Sequence, residues 1–179
     1  MKNSRASERY AKSLLQLALE KKILKEVRSD IDLLVSIFGK SREISNLYLS
    51  PIIPIKHKVS VTKKIFENKI NINTLNLMLN IIYRKRDSLM EAVFSKFIEL
   101  FNHHNNIEES FITTTYKLDE KTLDEVKKFA KKFSDKEISL KHNINKEIIG
   151  GFNLKIGDKM IDCTVSSKIN NLRKKLINN

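Results

Sequence analysis

The residues able to do chemistry here are four histidines, one cysteine, a glycine-bearing stretch and a few neighbouring carboxylates. His103 and His104 are adjacent, so they cannot share a helical face as i, i+4 metal ligands do; they read as a hinge or a solvated helix end. His142 alternates with Leu140 and Ile144, the pattern of a strand histidine. Cys163 falls opposite Phe152 in a predicted hairpin and reads as packed, with no histidine partner for nucleophilic work. Gly150, Gly151 and Gly157 invite a phosphate-cradle reading, but neither GxxxxGK[ST] nor GxGxxG is present, so backbone turns explain them better. Asp158 and Asp162 flank a turn and make no acid/base pair without a pocket. Arg84 and Arg86 suit either an acidic partner or a helix C-terminus. No catalytic residue, metal ligand or cofactor site is read from these groups, and the chain is expected not to be an enzyme.

The stretch from Ile148 to Val165 carries the most information. Gly157-Asp158 predicts a two-residue hairpin turn of type II′, because glycine enters the required φ region cheaply. Counting outward pairs Ile156 with Lys159, Leu154 with Ile161 and Phe152 with Cys163. Phe152, Leu154, Ile156, Ile161 and Cys163 then share one apolar face. A lone hairpin is marginal in water, so that face needs cover. The spacing of Val165, Ile169, Leu172 and Leu176 predicts a last helix that supplies it, capped by Ser166 or Ser167.

Upstream, residues 1–105 read as helical nearly throughout. A first helix from about Ser4 to Lys21 carries the stripe Tyr10, Ala11, Leu14, Leu15, Ala18 and Leu19. A second, Leu24 to Phe38, has Val27, Ile31, Leu34 and Phe38 on one side, with Gly39 as its stop. A short third starts at Ser41 and carries Ile44, Leu47 and Tyr48, ending before Pro51 and Pro54. A fourth covers Ile55 to Asn68 with Val59, Thr62, Ile65 and Phe66 inward. A fifth, capped by Asn73, carries Leu75, Met78, Leu79 and Ile82. Ser88 and Glu91 have capping-box spacing and open a sixth with Leu89, Val93, Phe97, Leu100 and Phe101 inward. The polar patch 102–106 marks a domain boundary. Beyond it Phe111–Tyr116 reads as a strand. Asp119 caps a helix through Phe133 with Leu123, Val126, Phe129, Ala130 and Phe133 inward, and Ile138–Ile144 alternates as a second strand. The expected fold is mainly α: a six-helix bundle over 1–105, then a small α/β domain over 106–179 with a hairpin and a terminal helix.

Composition sets the outer limits. The chain has 179 residues, 41% of them hydrophobic, with only two prolines and four glycines. That is enough apolar surface for a real core and favours long regular elements. One cysteine precludes an internal disulfide framework and fits a reducing compartment. No apolar run has the length of a membrane span or of a signal-peptide core. Net charge is +13, which invites a nucleic-acid reading. The charge is spread, however: 19 basic against 10 acidic residues over 1–105, and 15 against 11 over 106–179. Solvated surface accounts for most of it, although an acidic partner or an anionic surface would also be favoured.

The order of residues from Gly150 to Val165 resembles the C-terminal signature of the delta subunit of bacterial F-type ATP synthases, the family of the mitochondrial oligomycin sensitivity-conferring protein. Other pieces resemble that family in matching order. They are Arg9-Tyr10-Ala11 with Leu14-Leu15; Leu49-Ser50-Pro51 followed by Lys58 and Phe66; Arg86 ahead of Leu89 and Phe97; and Thr113-Thr114-Thr115 followed by Leu118. Cys163 stands where the family more often has Gly or Ala, Thr115 where Ala is common, and Pro54 at the usual cap of the fourth helix.

The resemblance implies a non-catalytic stator subunit of a proton-translocating rotary ATP synthase. It is expected at the cytoplasmic face of the bacterial inner membrane, in one copy per complex and monomeric when isolated. The N-terminal bundle would bind an N-terminal helix of an alpha subunit of the catalytic head. The C-terminal domain would bind the C-terminus of the b-subunit stalk, and membrane association would be indirect. The family places the alpha-subunit peptide between the first and fifth helices. That assigns Tyr10, Ala11 and Leu14 to one wall and Asn80 and Tyr83 to the other; ordinary bundle core is the competing role for Tyr10 and Leu14. Gly150, Gly151, Gly157, Asp158 and Asp162 form the structural signature of the C-terminal hairpin. The rival function is a basic RNA- or ribosome-associated module, which would show steep salt dependence.

Overall fold

The computed structural model describes residues 5–177, without the side chains of 171, 172 and 175–177. Ser4, Leu172 and Leu176, expected in the first and last helices, lie outside the residues or side chains so described. The chain divides into two compact units, one through Phe101 and one from Asn102.

The first unit contains α1 (Arg5–Glu20), α2 (Leu24–Lys40), α3 (Arg42–Leu49), α4 (Ile55–Phe66), α5 (Ile72–Tyr83) and, after a 3₁₀ turn at Asp87–Leu89, most of α6 (Met90–His104). Each helix contributes a 3.6-period stripe to one core: Ala11, Leu14 and Ala18 from α1; Val27, Ile31, Leu34 and Phe38 from α2; Leu75, Met78, Leu79 and Ile82 from α5. Phe38 joins three helices, stacking on Tyr48 at 5.2 Å and meeting Phe94 edge-on at 5.6 Å.

Several helix limits differ from expectation, each for a local reason. Gly39 does not stop α2, which runs on to Lys40. Ser41 is the break: it ends α2 and caps α3, its Oγ accepting from the Ile44 amide. Asn71, not Asn73, caps α5, because its Oδ1 reaches the Asn73 amide at 3.0 Å. The Ser88–Glu91 capping box does not form, since 87–89 winds as a 3₁₀ turn and Glu91 instead accepts from Ser45 Oγ at 2.6 Å. Helix α4 ends at Phe66 rather than Asn68. Helix α6 carries on through the polar patch to His104, and Asn106 turns the chain with a φ of 52°.

The second unit is a four-stranded sheet of order β2-β1-β3-β4, built from β1 (Ile107–Thr114), β2 (Glu137–Ile144), β3 (Phe152–Ile156) and β4 (Lys159–Asp162). Strand β1 starts four residues before the expected Phe111. It pairs parallel with β2, which demands a crossover, and α7 (Glu120–Ala130) provides it. Strands β1, β3 and β4 pair antiparallel. Ile112, Leu154 and Ile156 face inward with Ala130 and Ile138, and Leu123, Val126, Phe152 and Ile161 complete the layer.

That layer corrects two expectations. The hairpin face is covered by α7, and of the stripe expected on the last helix, α8 (Val165–Ile177), the described side chains of Val165 and Ile169 are exposed. An eleven-residue amphipathic crossover between two parallel strands is already constrained to lie on the sheet, so it takes the face first. Phe129 and Phe133, expected inward, are exposed, because the buried stripe of α7 runs through Leu123, Val126 and Ala130.

Candidate functional site

The residues expected to form a peptide groove lie on α1 and α5, which pack together. Lys21 Nζ donates to Asn73 Oδ1 at 2.9 Å and ties the end of α1 to the start of α5. Ala11 and Leu14 are buried in the core, and Tyr10 is half-buried against it. Asn80 and Tyr83 are exposed. On α5 the outward stripe is Ile72, Asn76, Asn80 and Tyr83, spaced i, i+4, i+8 and i+11. It places an apolar residue at each end, Ile72 at 60% and Tyr83 at 59% exposure, with two amides between them. Such a stripe offers anchors at the ends and hydrogen-bonding groups in the middle, the chemistry of helix docking. Ile72 was absent from the expected set, although its i, i+4 spacing to Asn76 and Asn80 is visible in the sequence.

A second locus was not foreseen as a site. The Lys58 side chain is 4% exposed and forms an ion pair with Asp87, itself 14% exposed. Its ammonium also donates to the carbonyls of Ser50 at 2.7 Å and Tyr48 at 3.3 Å. Three donors thus meet three acceptors, which is what a buried ammonium requires. Beside it Thr62 Oγ1 donates to the Lys58 carbonyl at 2.7 Å and receives the Tyr48 hydroxyl at 2.8 Å. Burial pushes the Tyr48 phenol up from its ordinary value. The cluster joins the end of α3, helix α4 and the 3₁₀ turn, and it holds the base of the loop whose tip, Ile52, is 88% exposed. Its signal in the sequence was the lysine itself, standing among inward positions of α4.

The hairpin signature resolves into backbone stapling. Ile156 pairs with Lys159 and Leu154 with Ile161, and the Cys163 amide donates to the Phe152 carbonyl at 3.0 Å. Gly157 has a φ of 54° while Asp158 has no positive φ, the combination of a type II′ turn. Gly151 has a φ of 82°, and a Cβ there would stand 2.3 Å from the Cys163 carbonyl oxygen. The Gly150 carbonyl accepts from the Val165 amide at 2.9 Å. Two glycines therefore let the start of β3 lie directly against the entry of α8. Asp162 completes the joint, accepting from the Thr164 amide at 2.9 Å and from the Ser167 hydroxyl. The Ser167 hydrogen bond, and then the Thr164 amide, hold its carboxyl below the usual carboxylate range. Thr164, rather than Ser166 or Ser167, caps α8, its Oγ1 accepting from the Ser167 amide at 3.3 Å. Asp158 is exposed at the turn.

The remaining candidates are dispersed. His103 and His104 are exposed at the end of α6. His142 sits on β2 and shares the buried Thr114 hydroxyl at 2.7 Å; that hydroxyl donates to the Tyr116 carbonyl at 2.6 Å, so His142 Nε2 carries the proton toward it. Arg84 is the C-cap of α5 and Arg86 precedes the 3₁₀ turn, both exposed. Among the described residues, no three His, Cys, Asp or Glu side chains are grouped to hold a metal ion, and no helix is long and apolar enough to cross a membrane.

Comparison with known proteins bears on the whole chain. The family model described as ATP synthase delta (OSCP) subunit matches residues 6–176. The ATP synthase subunit delta of Flavobacterium psychrophilum is 30% identical over 178 residues, covering 99% of this chain and 100% of that protein. The ATP synthase subunit delta of Christiangramia forsetii is 32% identical over 181 residues, covering 100% and 97%. A chain of the Toxoplasma gondii mitochondrial ATP synthase hexamer shares the fold, with a TM-score of 0.77 at 19% identity over 97% of this chain and 98% of that one.

Proposed function

The chain belongs to the ATP synthase delta (OSCP) subunit family, and from that premise we propose how its two units divide the work of a peripheral-stalk subunit. As such a subunit it acts by binding and stiffness. The alternative of an RNA- or ribosome-associated module is set aside by the same membership, and the spread-out lysines need no nucleic acid to explain them.

The first unit, in our reading, holds the catalytic head by taking an N-terminal helix of an alpha subunit along α1 and α5. The observation that carries this is the outward stripe Ile72–Asn76–Asn80–Tyr83 on α5, which packs on α1, the helix that carries the half-buried Tyr10. Ala11 and Leu14 support that surface from beneath as core residues. The second unit, from Asn102 onward, meets the C-terminus of the membrane-anchored b-subunit stalk at the cytoplasmic face of the membrane. Held at both ends, the protein keeps the head from following the rotor and contributes no bond chemistry. A nanomolar joint at either end corresponds to about 12 kcal/mol, a suitable scale for a connection under torque.

Reconstitution tests this. Membranes rebuilt without the chain should lose proton-coupled ATP synthesis while the detached head still hydrolyses ATP, and adding the chain back should restore coupling. Undiminished coupled synthesis without it would refute the assignment.

A further inference from the structure

We propose that, in the free chain, one end of the first unit adsorbs to an anionic lipid surface. That end carries the loop between α3 and α4 and the last residues of α5, and it seats Ile52 among the headgroups.

Positive charge is concentrated here, although the chain as a whole spreads it. Residues 44–86 hold eight Lys and Arg, and their only carboxylate is Glu67, at the other end of α4. The fold gathers part of that charge at one place. The Lys58 ammonium reaches the Ser50 carbonyl at 2.7 Å and pairs with Asp87. The loop, the first turn of α4 and the segment leading into Asp87 therefore meet at one side chain. Lys56 stands in that turn of α4, and Arg84, Lys85 and Arg86 directly precede Asp87. All four are exposed, and none is ion-paired among the described residues. Asp87, the carboxylate adjoining them, is taken up by Lys58.

Apolar side chains stand out at the same end. Ile52 is 88% exposed, Leu49 53% and Tyr83 59%. Single exposed apolar residues are ordinary; three around one cationic cluster are a patch with a use. Pro51 and Pro54 stiffen the short connection, and Pro54 enters α4 with a φ of −60°. Fixed φ angles and the Lys58 anchor hold the tip outward instead of letting it fold onto the core. An aliphatic tip, a tyrosine and surrounding cations are the equipment of a surface that rests between headgroups and acyl chains. Nucleic acid would use the cations but gives an isoleucine nothing to bury against. An acidic protein would have to supply a pocket shaped to a protruding tip, whereas a bilayer yields to it. Tyr83 also belongs to the stripe assigned to the head, so adsorption concerns the chain before assembly.

The test uses the full chain and phosphatidylcholine vesicles with or without about 30% phosphatidylglycerol, separated by flotation at about 50 and 500 mM salt. The chain should float with anionic vesicles at low salt and stay behind with neutral vesicles or at high salt. Each basic side chain near such a surface raises partition about fivefold, so Arg84→Gln with Arg86→Gln should lower it about 25-fold. Ile52→Ser should lower it about fivefold. Lys63→Gln with Lys64→Gln removes the same charge from exposed positions in the last turn of α4 and should change it less than about twofold. Every substituted position is exposed, so far-UV circular dichroism should match the parent. Failure of the parent to float with anionic vesicles overturns the proposal. An equal loss in the arginine and lysine pairs does so too, because net charge alone would then account for binding, as does an Ile52→Ser variant that floats like the parent. RNA or polyglutamate bound with the same dependence on Ile52 would overturn it in favour of that partner.

Discussion

Replacing Lys58 by methionine removes a charge while keeping most of the side chain's length and apolar stem. It leaves the Asp87 carboxylate, 14% exposed, without its cation and strips a donor from the carbonyls of Tyr48 and Ser50. Breaking a fully buried pair from one side costs about 3–5 kcal/mol. Residual water at Asp87 places this case near the lower end, about 3 kcal/mol, or roughly 150-fold in the folding equilibrium. Asp87→Asn keeps an acceptor and should cost less, about 1–2 kcal/mol. The double change Lys58→Met with Asp87→Leu should recover most of the loss, because no unpaired charge remains. Urea titration of the full chain, followed by far-UV circular dichroism, measures all three, with an unchanged slope showing that the denatured state is unaltered. The reasoning fails if Lys58→Met lies within about 1 kcal/mol of the parent, or if the double variant is no better than the single one.

Other outcomes follow from single positions. Gly151→Ala combines a left-handed backbone with a Cβ 2.3 Å from a carbonyl oxygen and should cost about 2–4 kcal/mol in thermal or urea unfolding. Gly39→Ala, inside α2 with open space around it, should gain about 0.5–1 kcal/mol in the same assay. The Ser110 hydroxyl is buried without a hydrogen-bond partner, so Ser110→Ala should be neutral or stabilising by up to about 1.5 kcal/mol. Asp162 is held below the usual carboxylate range by Ser167 and Thr164, so its stabilising hydrogen bonds are in place above the unfolded-state pKa and are lost as pH falls through the lowered folded value. Amide exchange at Thr164 and Ser167 should rise over that interval, and Asp162→Asn should abolish the pH dependence. Tyr10→Ala should weaken binding of an alpha-subunit N-terminal peptide about tenfold with helicity unchanged; unaltered affinity would remove Tyr10 from the surface.

Much was legible locally. The stripes through Val27, Ile31, Leu34 and Phe38, or Leu75, Met78, Leu79 and Ile82, declare which face of a helix is inward, because burial repeats with the helical period. The hairpin register was readable from Gly157 alone, since a two-residue turn leaves one pairing. Caps were harder. Asn71 and Asn73, or Thr164, Ser166 and Ser167, offer equivalent side chains within one turn, and the choice depends on where neighbouring elements let the helix begin.

What the sequence determined by itself was therefore the inventory: which segments are helix or strand, which faces are apolar, where a left-handed turn must fall, and which family the chain joins. Tertiary structure decided the pairings between distant segments. Only there does Lys58 meet Asp87, α7 cover the sheet, and Gly151 lie against the backbone of Cys163. Periodicity states that a face will be buried. Which partner buries it depends on competition among faces for the same surface, settled by the connections of the folded chain.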